Sequence, residues 1–342
     1  MILPRVFLAF AGAAALFVAE APATAFAQAV KVRIAWVPSI GASPVFVMAN
    51  SPAAKEAGLE LSLVRFESGP PAISAVASGT IDALAIGIAP VAVARAKGLD
   101  VRIVSAAATG GSGFVASPRL SEAFDAAKGN VALAMAEFRK RNGRAAKLAT
   151  VPPGGVPNVL LNHWLFKLNQ VAREDVQILT LGIDAIQQAM LSGSVDGGTV
   201  LEPSLSVIQS RDPGLKSIAT ANEMFDGVPG VVIAVTGAFA KARPEAVDAL
   251  VAGVVRANAL IASRPEEAAA LVQPAFGGGL VDRAILARAL SSKMVTFIAD
   301  PRLIEEPTRR MLAYQAEIGD FDKAPSMDGL FDTSVFARVG GK

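Results

Sequence analysis

The chain has 342 residues, 52% hydrophobic and 18% charged, and its 32 Lys and Arg against 30 Asp and Glu leave a net charge of +2. That near balance supplies no basic stripe to neutralise phosphates, and one Tyr with two Trp is little for base stacking, so the composition argues against nucleic acid as a partner. With no Cys and a single His, disulfides and thiolate or paired-histidine metal sites are excluded.

Residues 1–27 have the layout of a secretory signal peptide: Arg5 as the positive start, an apolar segment over 6–19, and Ala25-Phe26-Ala27 as a cleavage site before Gln28. Beyond residue 30 no apolar run approaches the roughly 20 residues of a membrane span. An exported chain with no Cys to carry a lipid is retained by an outer membrane, so the expected location is the periplasm.

A strand is predicted over 31–37, with Val32, Ile34 and Trp36 on one face, followed by the loop Pro38-Ser39-Ile40-Gly41-Ala42. Ser43 as N-cap and Pro44 at the first position open a helix to about residue 57. A strand over 59–66, the turn Glu67-Ser68-Gly69-Pro70-Pro71, a helix, a strand over 82–87, a helix over 90–97 and a strand over 101–107 follow. Thr109-Gly110-Gly111-Ser112-Gly113 reads as a flexible crossing. A second set comprises a helix over 131–141, a strand over 147–151, the loop Pro152-Pro153-Gly154-Gly155, a helix over 156–168 and a strand over 176–181. Val231 to Val235 is a return strand after Gly227-Val228-Pro229-Gly230, and the remainder is mostly helical to about residue 319.

One passage occurs twice. Ser78-Gly79-Thr80-Ile81-Asp82, after a short amphipathic helix, is echoed by Ser192-Gly193-Ser194-Val195-Asp196 after another; each leads into an apolar strand and a proline turn, Ala89-Pro90 or Glu202-Pro203. The fold class is therefore α/β with two lobes, each a mainly parallel sheet flanked by helices, and a ligand cleft between them. The expected division places 28–116 with 228–342 in a discontinuous first lobe and 117–227 in the second.

Ligands of such sheets sit at the carboxyl ends of strands, where loops meet helix N-termini. This selects the loops 36–44, 67–71, 87–90, 109–113, 152–158, 181–184 and 202–203, rich in Gly, Ser and Pro and without Lys or Arg. Within them Ser39, Gly41, Ser112 and Asp184 are candidates, and unpaired amides near Ser43, Pro71 and Val156 could hold a small anion. Trp36 either closes over a ligand or joins the core. Glu202 is either a helix N-terminal acid or a cleft carboxylate for a cationic group, and Glu67 is similar. His163 reads as a packed or surface histidine, and no Walker, dinucleotide or nucleophile-elbow motif is present.

With Gly41-Ala42-Ser43-Pro44-Val45-Phe46, Phe66-Glu67-Ser68-Gly69-Pro70, Ala77-Ser78-Gly79-Thr80-Ile81-Asp82-Ala83, Ala94-Arg95-Ala96-Lys97-Gly98-Leu99-Asp100, Arg264-Pro265-Glu266-Glu267-Ala268 and Leu330-Phe331-Asp332 in order, the chain resembles the periplasmic substrate-binding proteins of the nitrate/sulfonate/taurine class of ABC transporters. The resemblance implies a type II periplasmic binding protein fold that closes on a small-molecule ligand by hinge motion and delivers it to transmembrane permease subunits. It points to Ser43, Ser68 and Gly69, the Ile88-Ala89 turn, and Gly154, Gly155 and Asn158 as cleft walls. Val151-Pro152-Pro153-Gly154-Gly155 stands where a Lys-Gly-Ser-Ser-like loop is common, which points away from an ordinary sulfonate.

The expected function is a non-enzymatic, monomeric receptor without metal or cofactor for a small organic anion or zwitterion: a sulfonate, a taurine-like compound or an aromatic acid. In it Trp36 covers an apolar portion and Glu202 meets an amine if the ligand has one. Alternatives are an enzyme on the same fold, similar to thiamine-pyrimidine synthases, a periplasmic hydrolase, or a receptor feeding a sensor.

Overall fold

The computed structural model describes residues 29–277 and 279–340, so the expected signal peptide lies outside the described residues. In chain order the strands are β1 (Val30–Trp36), β2 (Leu59–Arg65), β3 (Ala83–Gly87), β4 (Val101–Gly110), β5 (Ser112–Ala116), β6 (Ala146–Thr150), β7 (Val176–Thr180), β8 (Gly197–Leu201), β9 (Lys216–Thr220), β10 (Pro229–Thr236) and β11 (Val295–Phe297). They form a six-stranded sheet in the order β11-β4-β10-β3-β1-β2 and a five-stranded sheet in the order β7-β6-β8-β5-β9. Helices pack around both.

In each sheet the strands joined through helices are parallel, β2-β1-β3 and β7-β6-β8. The connecting strands are not: β10 runs antiparallel to β3 and β4, and β5 antiparallel to β8 and β9. The sheets are thus mixed, where βα alternation predicts mainly parallel ones. Connectivity is the reason, since the chain leaves the first sheet along β4 and re-enters it along β10, without the crossover that would make the two parallel.

The outward crossing comes earlier than the expected division after residue 116. Gly110 and Gly111 turn the chain at φ +70 and +78, and every residue of β5 then pairs with β8 in the second sheet. At Gly110 an added Cβ would run into the Met294 carbonyl oxygen, so both the turn and the close approach require glycine there.

The helix expected from Ser43 to about 57 is broken into a 3-10 turn Ile40–Ala42, an α-helix Ser43–Ala49 and a short helix Ala53–Glu56. Ser39, extended at φ -139, is the cap, its Oγ accepting from the Gly41 N–H at 3.3 Å; Ser43 is already helical at φ -51. The helix expected over 156–168 is regular only over Val156–Asn162 and widens to π turns over His163–Leu168.

Strand alternation divides the core. Along β10, Val231, Ile233 and Val235 enter one cluster with Trp36, Phe46 and Phe276, while Val232 and Ala234 enter a second that continues through Phe114, Leu148 and Trp164 of the other lobe. Both faces of β10 are covered, which is why it reads as an unbroken apolar run. The helix Pro244–Ser263, apolar enough by composition to cross a membrane, is half buried in this protein, with Leu250, Val254, Ala257 and Ile261 on its inner side.

The repeated passage is a structural staple. After the helices Gly69–Ala77 and Ile183–Leu191, Gly79 and Gly193 turn at φ +74 and +68. Asp82 Oδ2 accepts the Arg33 N–H at 2.9 Å and Asp196 Oδ2 the Lys147 N–H at 2.8 Å, each on the neighbouring parallel strand or its threshold. Each carboxylate also takes a guanidinium, Arg33 at 2.6 and 2.8 Å for Asp82, Arg144 at 2.6 and 2.9 Å for Asp196. Burial works against the Asp82 charge, but the Arg33 side chain and amide outweigh it and hold the carboxyl below the usual carboxylate range.

Candidate functional site

Between the two sheets lies a small cavity of about 50 Å³, lined at one side by Ser39, Ser68 and Gly69 and at the other by Ser112, Gly155 and Val156. Ser39, Ser68 and Ser112 are only 3%, 5% and 1% exposed. Ser68 caps nothing with its side chain, and neither it nor Ser112 has a side-chain hydrogen bond among the described residues, so both hydroxyls are left for whatever fills the space. Val151, Ile183, Leu201 and Val231 supply apolar wall. Gly87 lets the lobes approach, since a Cβ there would come to 3.0 Å of Val156 Cγ2.

A second, larger cavity of about 630 Å³ opens beside it, lined by Trp36, Arg65, Asp184, Gln187, Arg211 and Phe276 among others. Two kinds of contact join the lobes beside these cavities. The Ile40 N–H donates to the Glu202 carbonyl at 2.7 Å and the Ile183 N–H to the Glu67 carbonyl at 3.2 Å, joining the lobes by main chain. Arg65 then pairs with Glu67 of its own lobe and with Asp184 across the cleft.

The candidates fall into distinct places. Ser39, Ser68, Gly69, Ser112 and Gly155 line the inner cavity. Trp36 and Asp184 line the outer one, and Gly154 an external groove beside Pro153. Trp36 is mainly core: it is 5% exposed and meets Phe46 and Phe276 edge-on at 4.7 and 6.3 Å. Gly41, Ser43, Ile88, Ala89 and Asn158 are buried behind the walls. The Asn158 amide oxygen accepts from Asn162 Nδ2 at 3.2 Å, and the Ser43 hydroxyl is fully buried without a partner.

Two expectations are corrected. Glu202 does not face the cleft as a partner for an amine: it is 1% exposed, with Oε2 accepting the Ser206 N–H at 3.1 Å and Oε1 the Ser206 hydroxyl at 3.0 Å. Its carboxylate is the acid at the N-terminal turn of the helix Ser204–Arg211, the other alternative the sequence leaves open. Burial pushes its carboxyl above the usual range, against the two bonds from Ser206. Glu67 likewise points to solvent with 56% of its side chain exposed.

The supply of amides is also thinner than the helix starts imply. Near Ser43 the N–H groups of Ile40, Gly41 and Ala42 are taken by Glu202 O, Ser39 Oγ and Ser39 O. The helix Gly69–Ala77 has Pro70 and Pro71 next in line, and Val156–Asn162 has Pro157, none of which has an N–H. Gly69 and Val156 are left to present the first amides of those helices. Gly87 and Gly110, inside loops the sequence selects, and Gly230, in the return crossing, also line the inner cavity although the sequence reading singles out none of them as a site residue; glycines at the ends of buried strands, where two lobes must close together, are the signal that marks them.

The model of the NMT1-like family matches residues 26–275. The taurine-binding periplasmic protein of Escherichia coli K12 is 26% identical over 243 residues, covering 70% of this chain and 69% of that one. Among solved structures, the periplasmic nitrate-binding protein NrtA of Synechocystis PCC 6803 superimposes with a TM-score of 0.75 at 14% identity, over 92% of this chain and 89% of that one. The alkanesulfonate-binding protein SsuA of Xanthomonas axonopodis pv. citri, bound to MOPS, gives 0.68 at 16% identity, over 90% and 99%. These structures share the two-sheet fold described above.

Proposed function

Because the chain belongs to the NMT1-like family, we propose that it is the solute-binding component of an ABC import system, held in the periplasm, which captures a small anion between its lobes and presents it to a permease. The observation that carries this reading is the cavity whose hydroxyls come from both lobes, Ser39 and Ser68 from one and Ser112 from the other. A ligand bridging them would be bound fully only when the lobes are together, which couples occupancy to closure. The crossings at Gly110-Gly111 and before β10 are the points about which the lobes would turn. Relatives that bind nitrate and alkanesulfonates support a ligand with an anionic head group, and taurine, bound by another, carries a sulfonate beside its ammonium. Among the described residues no titratable side chain lines the inner cavity, which supports binding over catalysis.

A thermal-shift panel of nitrate, sulfonates and short carboxylates tests the proposal. A ligand at 100 times its Kd should stabilise the protein by about 2.7 kcal/mol. A panel in which no anion raises Tm refutes the receptor reading.

A further inference from the structure

We infer that the ligand is a small monoanion without an ammonium group, so that an amino acid or aminosulfonate of the same length is rejected. This rests on the receptor reading above and narrows it. The inner cavity is built to satisfy one negative head group with neutral donors: the hydroxyls of Ser68 and Ser112, each more than nine-tenths buried and without a side-chain bond, together with the Gly69 amide at the start of the Gly69–Ala77 helix. Among the described residues the lining has neither Lys nor Arg, so a second negative charge has no counter-charge.

A positive charge is treated worse still. Each carboxylate near the cavity is already engaged elsewhere. Glu202 has both oxygens on Ser206 and is turned into its own helix. Glu67 and Asp184 have more than half of their side chains open to solvent and share Arg65. With the hydroxyls of Ser68 and Ser112 and the Gly69 amide turned to the anionic head group, what is left for an ammonium is the wall of Val151, Val156, Ile183 and Leu201, with no carboxylate in it. A cation held against that aliphatic wall loses hydration and gains no charged partner in return.

Matched pairs differing only in the amine provide the test: propionate against β-alanine, and isethionate against taurine, titrated calorimetrically into the full chain at neutral pH. The ammonium-free member is expected to bind at least about 100-fold more tightly in each pair that binds. Equal or tighter binding of β-alanine or taurine overturns the inference and leaves the receptor reading standing. If no member of either pair binds at millimolar concentration while nitrate does, the inference is supported by nitrate itself, a monoanion with no ammonium. If no anion binds at all, the receptor reading falls and the inference with it. Ser68→Asp adds an independent arm: the Ser68 side chain makes no cap bond, and Pro70 and Pro71 offer no N–H to donate one, so the change removes no helix contact while placing a carboxylate in the cavity. It is expected to abolish binding of propionate or isethionate and to shift the preference towards the amine-bearing member; an unchanged preference overturns the placement of the head group.

Discussion

Asp184→Ala isolates the ionic part of lobe closure. Arg65 links the lobes through Asp184 while keeping Glu67 as a partner in its own lobe, so the substitution removes the cross-cleft contact without leaving the guanidinium unpaired. The three side chains are 36%, 56% and 54% exposed for Arg65, Glu67 and Asp184, so solvent screens the pair and its worth is that of a surface ion pair, about 0.2–1 kcal/mol. That corresponds to a factor of about 1.4 to 5 in the ratio of closed to open protein. If closure and occupancy are coupled, the Kd of an anion from the panel should rise by the same factor. Calorimetric titration of wild type and variant at about 0.1 M and about 1 M salt is the assay, since the screening length falls from about 10 Å to about 3 Å between them. The variant should bind up to about fivefold more weakly at low salt and like wild type at high salt. A loss beyond about tenfold, or one that persists at high salt, would show that Asp184 touches the ligand or supports the fold, and the latch argument would be wrong.

Three further outcomes are expected. Asp82 has its carboxyl held below the ordinary range in the folded state, so its contribution is present above the unfolded pKa and lost as the pH falls through the lower folded value; Asp82→Asn should cost about 1–2 kcal/mol at neutral pH, and urea melts should show the gap closing on acidification. The hydroxyls of Thr150 and Thr199 face each other across β6 and β8 at 2.6 Å in a buried site, so Thr150→Val alone should destabilise by about 1–3 kcal/mol and the double Thr150→Val, Thr199→Val by less than the sum of the singles in a double-mutant cycle. Gly110→Ala should destabilise by about 2 kcal/mol or more, because both the left-handed backbone and the Met294 carbonyl oppose a side chain; Gly111→Ala, strained in backbone but meeting only ordinary contacts, should cost less in the same denaturation assay.

Much of the frame was legible because its signals are local. Alternation in Val32, Ile34 and Trp36 marks β1, the Ser-Gly-x-x-Asp passages mark both staples, and Gly110-Gly111 marks the crossing. What was not legible depends on partners distant in sequence. Ser112 to Ala116 is a strand because β8 and β9 flank it, and no property of five residues assigns them to one sheet over another. Ser39 and Ser43 are equally good caps by type, and only the extended backbone at Ser39 decides between them. Prolines at helix starts read as helix signals, and so they are, but each also removes an amide from the space the helix faces. Glu202 offered two roles of equal chemical sense, and the choice was made by Ser206 one turn away.

The ion pairs fall into two grades of strength, and the grades have a direction. The carboxylates that tie strand to strand within a sheet, Asp82 and Asp196, are 17% and 9% exposed, whereas the pair spanning the cleft is about half open to water. Pulled along its sheets the molecule is stiff; pulled apart across the cleft, its ionic tie resists weakly and yields further as salt rises. A device with that anisotropy can cycle between filled and empty without loosening either half, so repeated use need not draw on the stability that keeps the halves folded.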